Sequence, residues 1–247
     1  MNRARLLGEL RGAYFRDHAV RLFFVMSLLL LAFNLTHARG WQIGLVGAGW
    51  GVYLLEEYLS HVFVFHGWVP KGEGAYLALY RLHLGHHDRP RRVDLLFTPL
   101  WYTLPMLLLN VLLFALVAHE RVSVALLAQG LIGGYLFFEW CHLVVHSPLR
   151  PGALLSYVRK QHHGHHHWNE KRWYTISPPA VVFDLLFGTG GQVESAPRSL
   201  DAERSGVSES DVRLVRARAR YRDHTDWTEH ESRLWMESAR SFGGADA

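Results

Sequence analysis

The chain has 247 residues, 49% of them hydrophobic, and a formal net charge of +4. Its only cysteine, Cys141, excludes a disulfide framework, a four-cysteine iron–sulfur cluster and a CxxC redox pair within the chain. Long apolar runs and nine tryptophans indicate an integral membrane protein. The basic residues lie in the termini and loops, which is typical of membrane topology rather than of nucleic-acid binding.

Four apolar runs predict an all-α integral membrane protein with four transmembrane helices and a cytoplasmic histidine-rich helical cap. A basic arm, residues 1–21, precedes the first run. The alternative to a retained first helix is a signal peptide, but no small-x-small cleavage site follows. Together with the cap, the helices form a predicted membrane domain over residues 22–187. The helices are predicted at about 22–38, 41–66, 99–118 and 122–146.

Positive charge orients this predicted bundle. Among the lysines and arginines before Gly188, only Arg39 and Arg121 lie in the short turns after the first and third helices. The positive-inside rule therefore places the N-terminus, the loop 67–98 and everything after His146 in the cytoplasm. Gly130, Gly133 and Gly134 in the fourth run are expected to allow close helix packing.

Residues 188–247 are predicted to form a linker and a basic helical cytoplasmic tail. Residues 188–206 are rich in Gly, Ser and Pro, and a basic helix is predicted over 208–222, with Ser208 or Ser210 as its cap. A second short helix is predicted over 227–242. The tail could dock an acidic electron carrier, lie on anionic lipid headgroups, or be a solvated extension.

Four histidine clusters lie at the predicted cytoplasmic ends of the helices. Imidazole binds iron or zinc as the neutral base, and ionisable groups near lipid are costly, so this grouping predicts a two-metal site. One isolated pair would more often be a structural zinc site or no site. The ten candidate ligands are His61, His66, His83, His86, His87, His142, His146, His163, His166 and His167.

Histidine spacing predicts how the rings are presented. His142 and His146 are four apart, so both rings can reach one metal from one helical face. The two HxxHH clusters also place their three rings on one face. His61 and His66 are five apart, about 140° around a helix of 3.6 residues per turn. One of these two histidines must therefore lie where the helix ends or is distorted.

The four spacings resemble those of the membrane fatty acid hydroxylase superfamily, which includes sterol desaturase-like proteins. Within it the chain looks most like the fatty acid 2-hydroxylases, over residues 54–189. The likeness extends beyond the histidines to four stretches. These are EEYLSHVFVFH, HLGHHDRP with DLLFTPL, GGYLFFEWCHLVVHSP, and YVRKQHHGHHHW with VVFDLLFGT.

The last cluster has two possible registers, because His162, His165 and His166 also form HxxHH. The family pattern places an aromatic residue directly after the paired histidines, and Trp168 follows His167. The resemblance therefore favours His163, His166 and His167 as ligands. His162 and His165 remain possible additional ones.

The resemblance implies an oxygen-dependent non-heme di-iron monooxygenase that hydroxylates a lipid acyl chain, at the 2-position of a fatty acid. Its cofactors would be two iron ions, with zinc possible in purified protein, together with O₂ and an external electron donor. That donor would be a separate cytochrome b5-like or ferredoxin-type protein, since the cytochrome b5 sequence fused to many eukaryotic relatives is not seen here. Alternatives are a carotenoid ring hydroxylase, a sterol or alkane oxidase, and a metal-binding or metal-transport membrane protein. A transporter should spread its ligands across the membrane's depth.

Three acids are expected to offset the charge of two metal ions by accepting imidazole N–H bonds: Glu57, Glu139 and Asp184. The sequence departs from the family before Asp184, where Trp173-Tyr174-Thr175 and Phe183 stand in place of a Gly-Phe-Gly stretch and a Trp. Four aromatic residues, Trp101, Tyr102, Trp173 and Tyr174, lie near the expected membrane interface, where the alternative is an aromatic belt. Trp173 and Tyr174 are the candidate substrate-binding residues.

Overall fold

A computed structural model describes residues 3–222, and these form helices and loops without a β-strand. The helix predicted over 227–242 lies outside these residues. The helices are α1 (Arg3–Arg16), α2 (His18–His37), α3 (Gly44–Leu59), α4 (Glu73–Leu79), α5 (Gly85–Asp88), α6 (Val93–Leu96), α7 (Leu100–Ala118), α8 (Arg121–Val145), α9 (Ala153–His167), α10 (Val181–Leu186) and α11 (Val212–Arg220). Two π-helical segments, Ser60–Phe65 and Tyr80–Leu84, follow α3 and α4. Short 3₁₀ turns lie at Gly40–Ile43, Pro178–Ala180, Val193–Ser195 and Ala202–Arg204.

Helix α8 is the centre of the bundle, in contact with α2, α3 and α7. Three helical segments of the described chain are long and apolar enough to cross a membrane: His18–His37, Val93–Ala118 and Arg121–Val145. The second predicted span is divided into a 3₁₀ turn, α3 and a π-helical segment. Long apolar helices with exposed outer faces fit a multi-pass membrane protein.

Glycine brings α3 and α8 into direct backbone contact. A Cβ atom at Gly130 would lie 1.9 Å from the carbonyl oxygen of Val46, and one at Gly49 would lie 2.0 Å from that of Leu127. Any larger side chain would force the helices apart. This contact fixes α3, which leads into the first histidine pair, against α8, which carries His142 and His146.

The predicted N-terminal arm is itself largely helical. Leu10 and Ala13 of α1 are fully buried, and the Tyr14 hydroxyl donates to the carbonyl oxygen of Leu136 in α8. The Asp17 carboxylate accepts hydrogen bonds from the backbone N–H groups of Ala19 and Val20. This cap starts α2 at His18, four residues before the predicted position.

Helices α4–α6, α9 and α10 gather with α11 at the end of the bundle where α3 and α8 terminate. The predicted tail helix is present but shorter, Val212–Arg220, and its cap is Asp211 rather than Ser208 or Ser210. Leu214 and Ala217 of α11 are buried against Phe65 and Tyr80. The segment predicted as a linker and basic tail is therefore packed onto the cap as far as residue 222.

Candidate metal centre

A π-helical segment presents the first histidine pair. The backbone N–H of His66 donates to the carbonyl of His61, five residues back, which is the hydrogen-bond pattern of a π-helix. The wider turn brings the two rings into a stack, with centroids 5.2 Å apart and planes 15° from parallel. The distortion that the five-residue spacing predicts is therefore present.

One cluster of five imidazoles, called site A here, has its ring nitrogens within 4.8 Å of one another. The Nε2 atom of His165 lies 3.1 Å from those of His61 and His66 and 3.0 Å from that of His87. The Nε2 atoms of His66 and His83 are 2.9 Å apart. Site A consists of His61, His66, His83, His87 and His165.

The other five imidazoles form site B. His86, His146, His162 and His166 have ring nitrogens within 4.8 Å of one another. His142 joins them through His86, the two Nε2 atoms being 2.9 Å apart. The Nε2 atom of His162 lies 2.8 Å from that of His146 and 3.0 Å from that of His166.

The two sites exchange one ring each. The i and i+4 histidines of each HxxHH cluster serve one site, His83 and His87 in site A and His162 and His166 in site B. The i+3 ring crosses to the other site, so the triplets do not act as single faces. The two that cross are His86 and His165. Each site thus has a pair from the end of a bundle helix, a pair from the cap and one crossing ring.

The structure places the last cluster in the other register. His162, His165 and His166 are fully buried in the two sites. His167 instead lies at the surface, where its Nδ1 is 3.0 Å from a carboxylate oxygen of Glu203. His163 is also outside both groups. The expectation drawn from Trp168 is therefore corrected to the alternative HxxHH.

Ring-nitrogen spacings match those around a metal ion. Two nitrogens bound at about 2.1 Å and at right angles stand ~3.0 Å apart, whereas a tetrahedral pair stands ~3.4 Å apart. The Nε2 pairs above are 2.8–3.1 Å apart. These spacings, with five clustered donors in site A and four in site B beside His142, fit an ion of coordination number five or six.

A fatty acid hydroxylase family model matches residues 46–189, the part of the chain that carries all the rings of both sites. The chain belongs to the fatty acid hydroxylase family. It is 32% identical to a rat fatty acid 2-hydroxylase over 162 residues, which are 63% of this chain and 42% of the relative. The human fatty acid 2-hydroxylase is 30% identical over 73% of this chain and 48% of its own length.

A yeast relative belongs to the same set. The ceramide very long chain fatty acid hydroxylase of Saccharomyces cerevisiae is 29% identical over 56% of this chain and 35% of its own length. The chain therefore spans under half the length of these curated relatives. A solved structure, full-length scs7p with only the hydroxylase domain visible, superposes with a TM-score of 0.64 at 22% identity. It covers 72% of this chain and 67% of that one.

Hydrogen bonding and burial suit this family member's rings for metal binding. The Nδ1–H of His165 donates to the carbonyl oxygen of Arg172 at 2.7 Å, which leaves the Nε2 lone pair directed at the other rings of site A. Five further Nδ1 atoms are buried without a hydrogen-bond partner, those of His86, His87, His142, His162 and His166. The Nε2 atoms of these same rings converge on other imidazole nitrogens, where metal ions would bind them.

Burial also keeps the cap histidines neutral. It lowers the pKa of His165 from its ordinary value of 6.5 to about 4. The pKa values of His83, His86, His87, His162 and His166 are lowered well below 6.5, first by burial and then by the neighbouring rings. These rings are therefore available as neutral ligands at physiological pH.

The three candidate acids bind backbone rather than imidazole. Glu57 accepts from the N–H groups of Ile176 and Ser177 at 2.6 and 2.8 Å, and Glu139 accepts from that of Thr98 at 2.9 Å. Asp184 accepts from the N–H groups of Tyr174 and Thr175 and from the hydroxyls of Thr175 and Thr189. They position the loops around the rings and do not orient the rings directly.

Trp173 and Tyr174 lie beside the metal sites. Trp173 is fully buried in a left-handed conformation (φ 55°), and its indole N–H donates to the carbonyl of Gly191. The ring of Tyr174 packs against His61 and His165, with centroids 5.5 and 5.6 Å away. Neither residue lines the cavity that borders His61 of site A.

That cavity runs into the helix bundle from His61. Its walls near the ring are polar, with Glu56, Ser60 and Tyr102, and become apolar at Leu107 and Ile132. A second, almost wholly apolar cavity shares Leu107 and Ile132 and continues between α2, α7 and α8 to His119 and Arg121. The two neighbouring cavities, called the path here, together extend from site A towards the far end of the bundle. Sequence reasoning missed this path because its lining comes from four helices, α2, α3, α7 and α8, whose mutual packing is not encoded in local spacing.

Proposed function

We propose that this family member is a membrane-bound di-iron hydroxylase that inserts one oxygen atom of O₂ into a C–H bond of a lipid acyl chain, at the carbon next to the carbonyl. The observation that carries the proposal is the pair of five-imidazole sites at the head of an apolar path. The 2-position is supported by the relatives, several of which are named fatty acid 2-hydroxylases.

Coordination number favours iron over zinc. Structural zinc sites are almost always four-coordinate and tetrahedral, whereas site A offers five clustered imidazole nitrogens and site B offers four with His142 next to His86. Imidazole also suits iron, although a purified sample could carry zinc. When bound, two iron ions would supply the activation of O₂ that an unreactive C–H bond requires.

Electrons must come from a partner. Hydroxylation leaves one atom of O₂ in the substrate and the other in water, so two electrons and two protons have to enter. Cys141, the chain's only cysteine, is a free thiol buried in the bundle and cannot form a redox pair within the chain. We therefore infer a separate electron-transfer protein of the cytochrome b5 or ferredoxin type. No nucleic acid takes part.

The protein's own contribution is to position the substrate. An acyl chain in the path from His61 to Arg121 would have its apolar end against Leu107 and Ile132. Polar side chains occur where the carbonyl end would lie. The Tyr102 hydroxyl donates to that of Ser60, and Asn110 donates to Glu56 at 2.7 Å. This division of the lining favours an amphipathic substrate whose reacting carbon is close to its polar end.

The membrane arrangement is also part of the proposal. We infer four spans, with α3 and its π-helical segment as the second. The metal sites and both termini would face the cytoplasm, because Arg39 and Arg121 are the few basic residues at the other end. The lipid substrate could then enter from the bilayer while the electron donor approaches from the cytoplasm.

Expression in a host without 2-hydroxy lipids, followed by lipid mass spectrometry, tests the proposed function. We expect acyl chains with one added oxygen on the carbon next to the carbonyl. The His86→Ala variant, expressed to the same level, should yield none. A hydroxyl on a carotenoid ring or sterol would contradict the acyl assignment. Metal uptake by cells without any oxidised lipid would favour a transporter.

A further inference from the structure

The segment that follows the family match is built onto the metal sites. Residues 190–222, called the strap here, lie beyond the matched residues 46–189. A Cβ atom at Gly164 of α9 would lie 2.8 Å from a methyl of Val193, so the strap packs on the backbone between His162 and His165. The Trp168 indole N–H donates to the carbonyl of Ala196 at 2.7 Å and continues this attachment.

The strap next crosses between the two cap helices that exchange rings. The turn Ala202–Arg204 contacts both α5 and α9, and Ala202 is buried. Ser205 follows in a left-handed conformation (φ 50°), and its hydroxyl oxygen lies 3.4 Å from the Nδ1 of His66. If His66 binds metal through Nε2, its Nδ1–H donates to this hydroxyl. His66 is the half-buried ring of site A.

Helix α11, at the end of the strap, is attached to Asp88, the residue that follows His87. The guanidinium of Arg218 donates to both carboxylate oxygens of Asp88, at 2.5 and 2.9 Å, and the Tyr80 hydroxyl donates to Asp88 at 2.7 Å. The Asp88 side chain is only 5% exposed, so it depends on these donors. The ring of Tyr221, just after α11, stacks on the ring of Tyr80, with centroids 5.7 Å apart.

We infer that the strap holds the metal ion of site A selectively, with Ser205 and Arg218 as positioning residues. The inference rests on the proposed metal sites. Ser205 contacts His66, and Arg218 acts through Asp88 beside His87; both histidines belong to site A. The strap also contacts His167 through Glu203, but the His167 ring lies at the surface and outside both sites. Site B has one pair, His142 and His146, on α8. Its other pair, His162 and His166, lies on α9, where the strap packs on the backbone at Gly164 but forms no described hydrogen bond with either ring.

Release of zinc to a chromogenic chelator, from full-length protein loaded with two zinc ions, tests this inference. Contacts that orient a metal ligand typically change metal affinity about 10–100-fold. We therefore expect Arg218→Gln to release one of its two ions at least about tenfold faster than the wild type. Ser205→Gly, which removes the hydroxyl and tolerates the backbone conformation, should act in the same direction. Arg218→Lys should recover part of the retention.

The control is Arg220→Gln, an exposed position on the same helix, which should release zinc like the wild type. Unchanged release from both Arg218→Gln and Ser205→Gly would overturn the inference, as would equal acceleration of both ions. Should Arg218→Gln fail to fold, the Ser205→Gly result decides alone. A wild-type chain that never holds two ions would instead contradict the proposed function.

Discussion

Neutral, buried imidazoles are the proposed metal ligands at the residue scale, and we expect them also to make the protein sensitive to acid. The folded-state pKa of His165 is about 4, whereas an exposed histidine in the unfolded chain titrates near 6.5. Below pH 6.5 the unfolded state therefore binds more protons than the folded state. Each such ring therefore lowers the free energy of unfolding by a growing amount as the pH falls from 6.5 towards 4.

We expect metal-stripped protein to lose thermal stability steeply between pH 6.5 and 4, because several rings share this behaviour. Bound metal should oppose the loss, since ions compete with protons for the same nitrogens. Thermal unfolding in detergent at stepwise pH would measure both. Equal melting temperatures of the stripped protein at pH 7 and pH 5 would refute this expectation.

The sequence contains the histidines of both sites but also offers two registers for the last cluster. The structure selects His162 and His165 because they continue the inward stripe of α9 that begins with Leu155 and Val158. That spacing of three, four and three residues is visible in the sequence and is a better guide to the inward face than the aromatic residue after the cluster. The crossing of His86 and His165 cannot be read from spacing, since it depends on how α5 packs against α9.

Irregular helix geometry determines the site at the scale of elements. The five-residue spacing of His61 and His66 predicts a distortion, and the π-helical segment Ser60–Phe65 provides it. The segment Tyr80–Leu84 has no such signal, yet it is also π-helical and carries His83. The spacing of histidines thus predicts a helix distortion only where the distorted segment has to present two of them to the same site.

The cavities between α2, α7 and α8 give a prediction at the same scale. Ala115 lines the cavity far from the metal sites, whereas the next residue, Leu116, is 64% exposed on the outer face of α7. Ala115→Phe should fill the path and shift hydroxylation towards shorter acyl chains. Leu116→Phe adds a similar ring facing lipid and should leave the product profile unchanged.

Lipid mass spectrometry of cells supplied with short and very long acyl chains would measure that shift. A profile unaffected by Ala115→Phe, with protein levels equal to wild type, would show that the acyl chain does not use this path. A loss of all products in both variants would point to a general defect of α7 instead.

At the scale of the whole molecule, an apolar helix bundle is joined to two imidazole clusters, each of which takes one ring from the other's HxxHH segment. Apolar runs predict much of the bundle, because burial in lipid constrains length and composition strongly. The tail was harder to predict, since Gly, Ser and Pro are typical of linkers. Residues up to 222 are ordered by pairing with distant groups, such as Arg218 with Asp88 and Trp168 with Ala196. Such pairings have no local signature.

Ten imidazoles, including His162, His165 and His166, are proposed to hold two metal ions. Metal content of the purified chain, measured by mass spectrometry beside protein concentration, tests this proposal most directly. We predict two ions per chain for the wild type and for His163→Ala, and fewer than two for His165→Ala. Two ions retained in His165→Ala together with loss in His163→Ala would contradict the account.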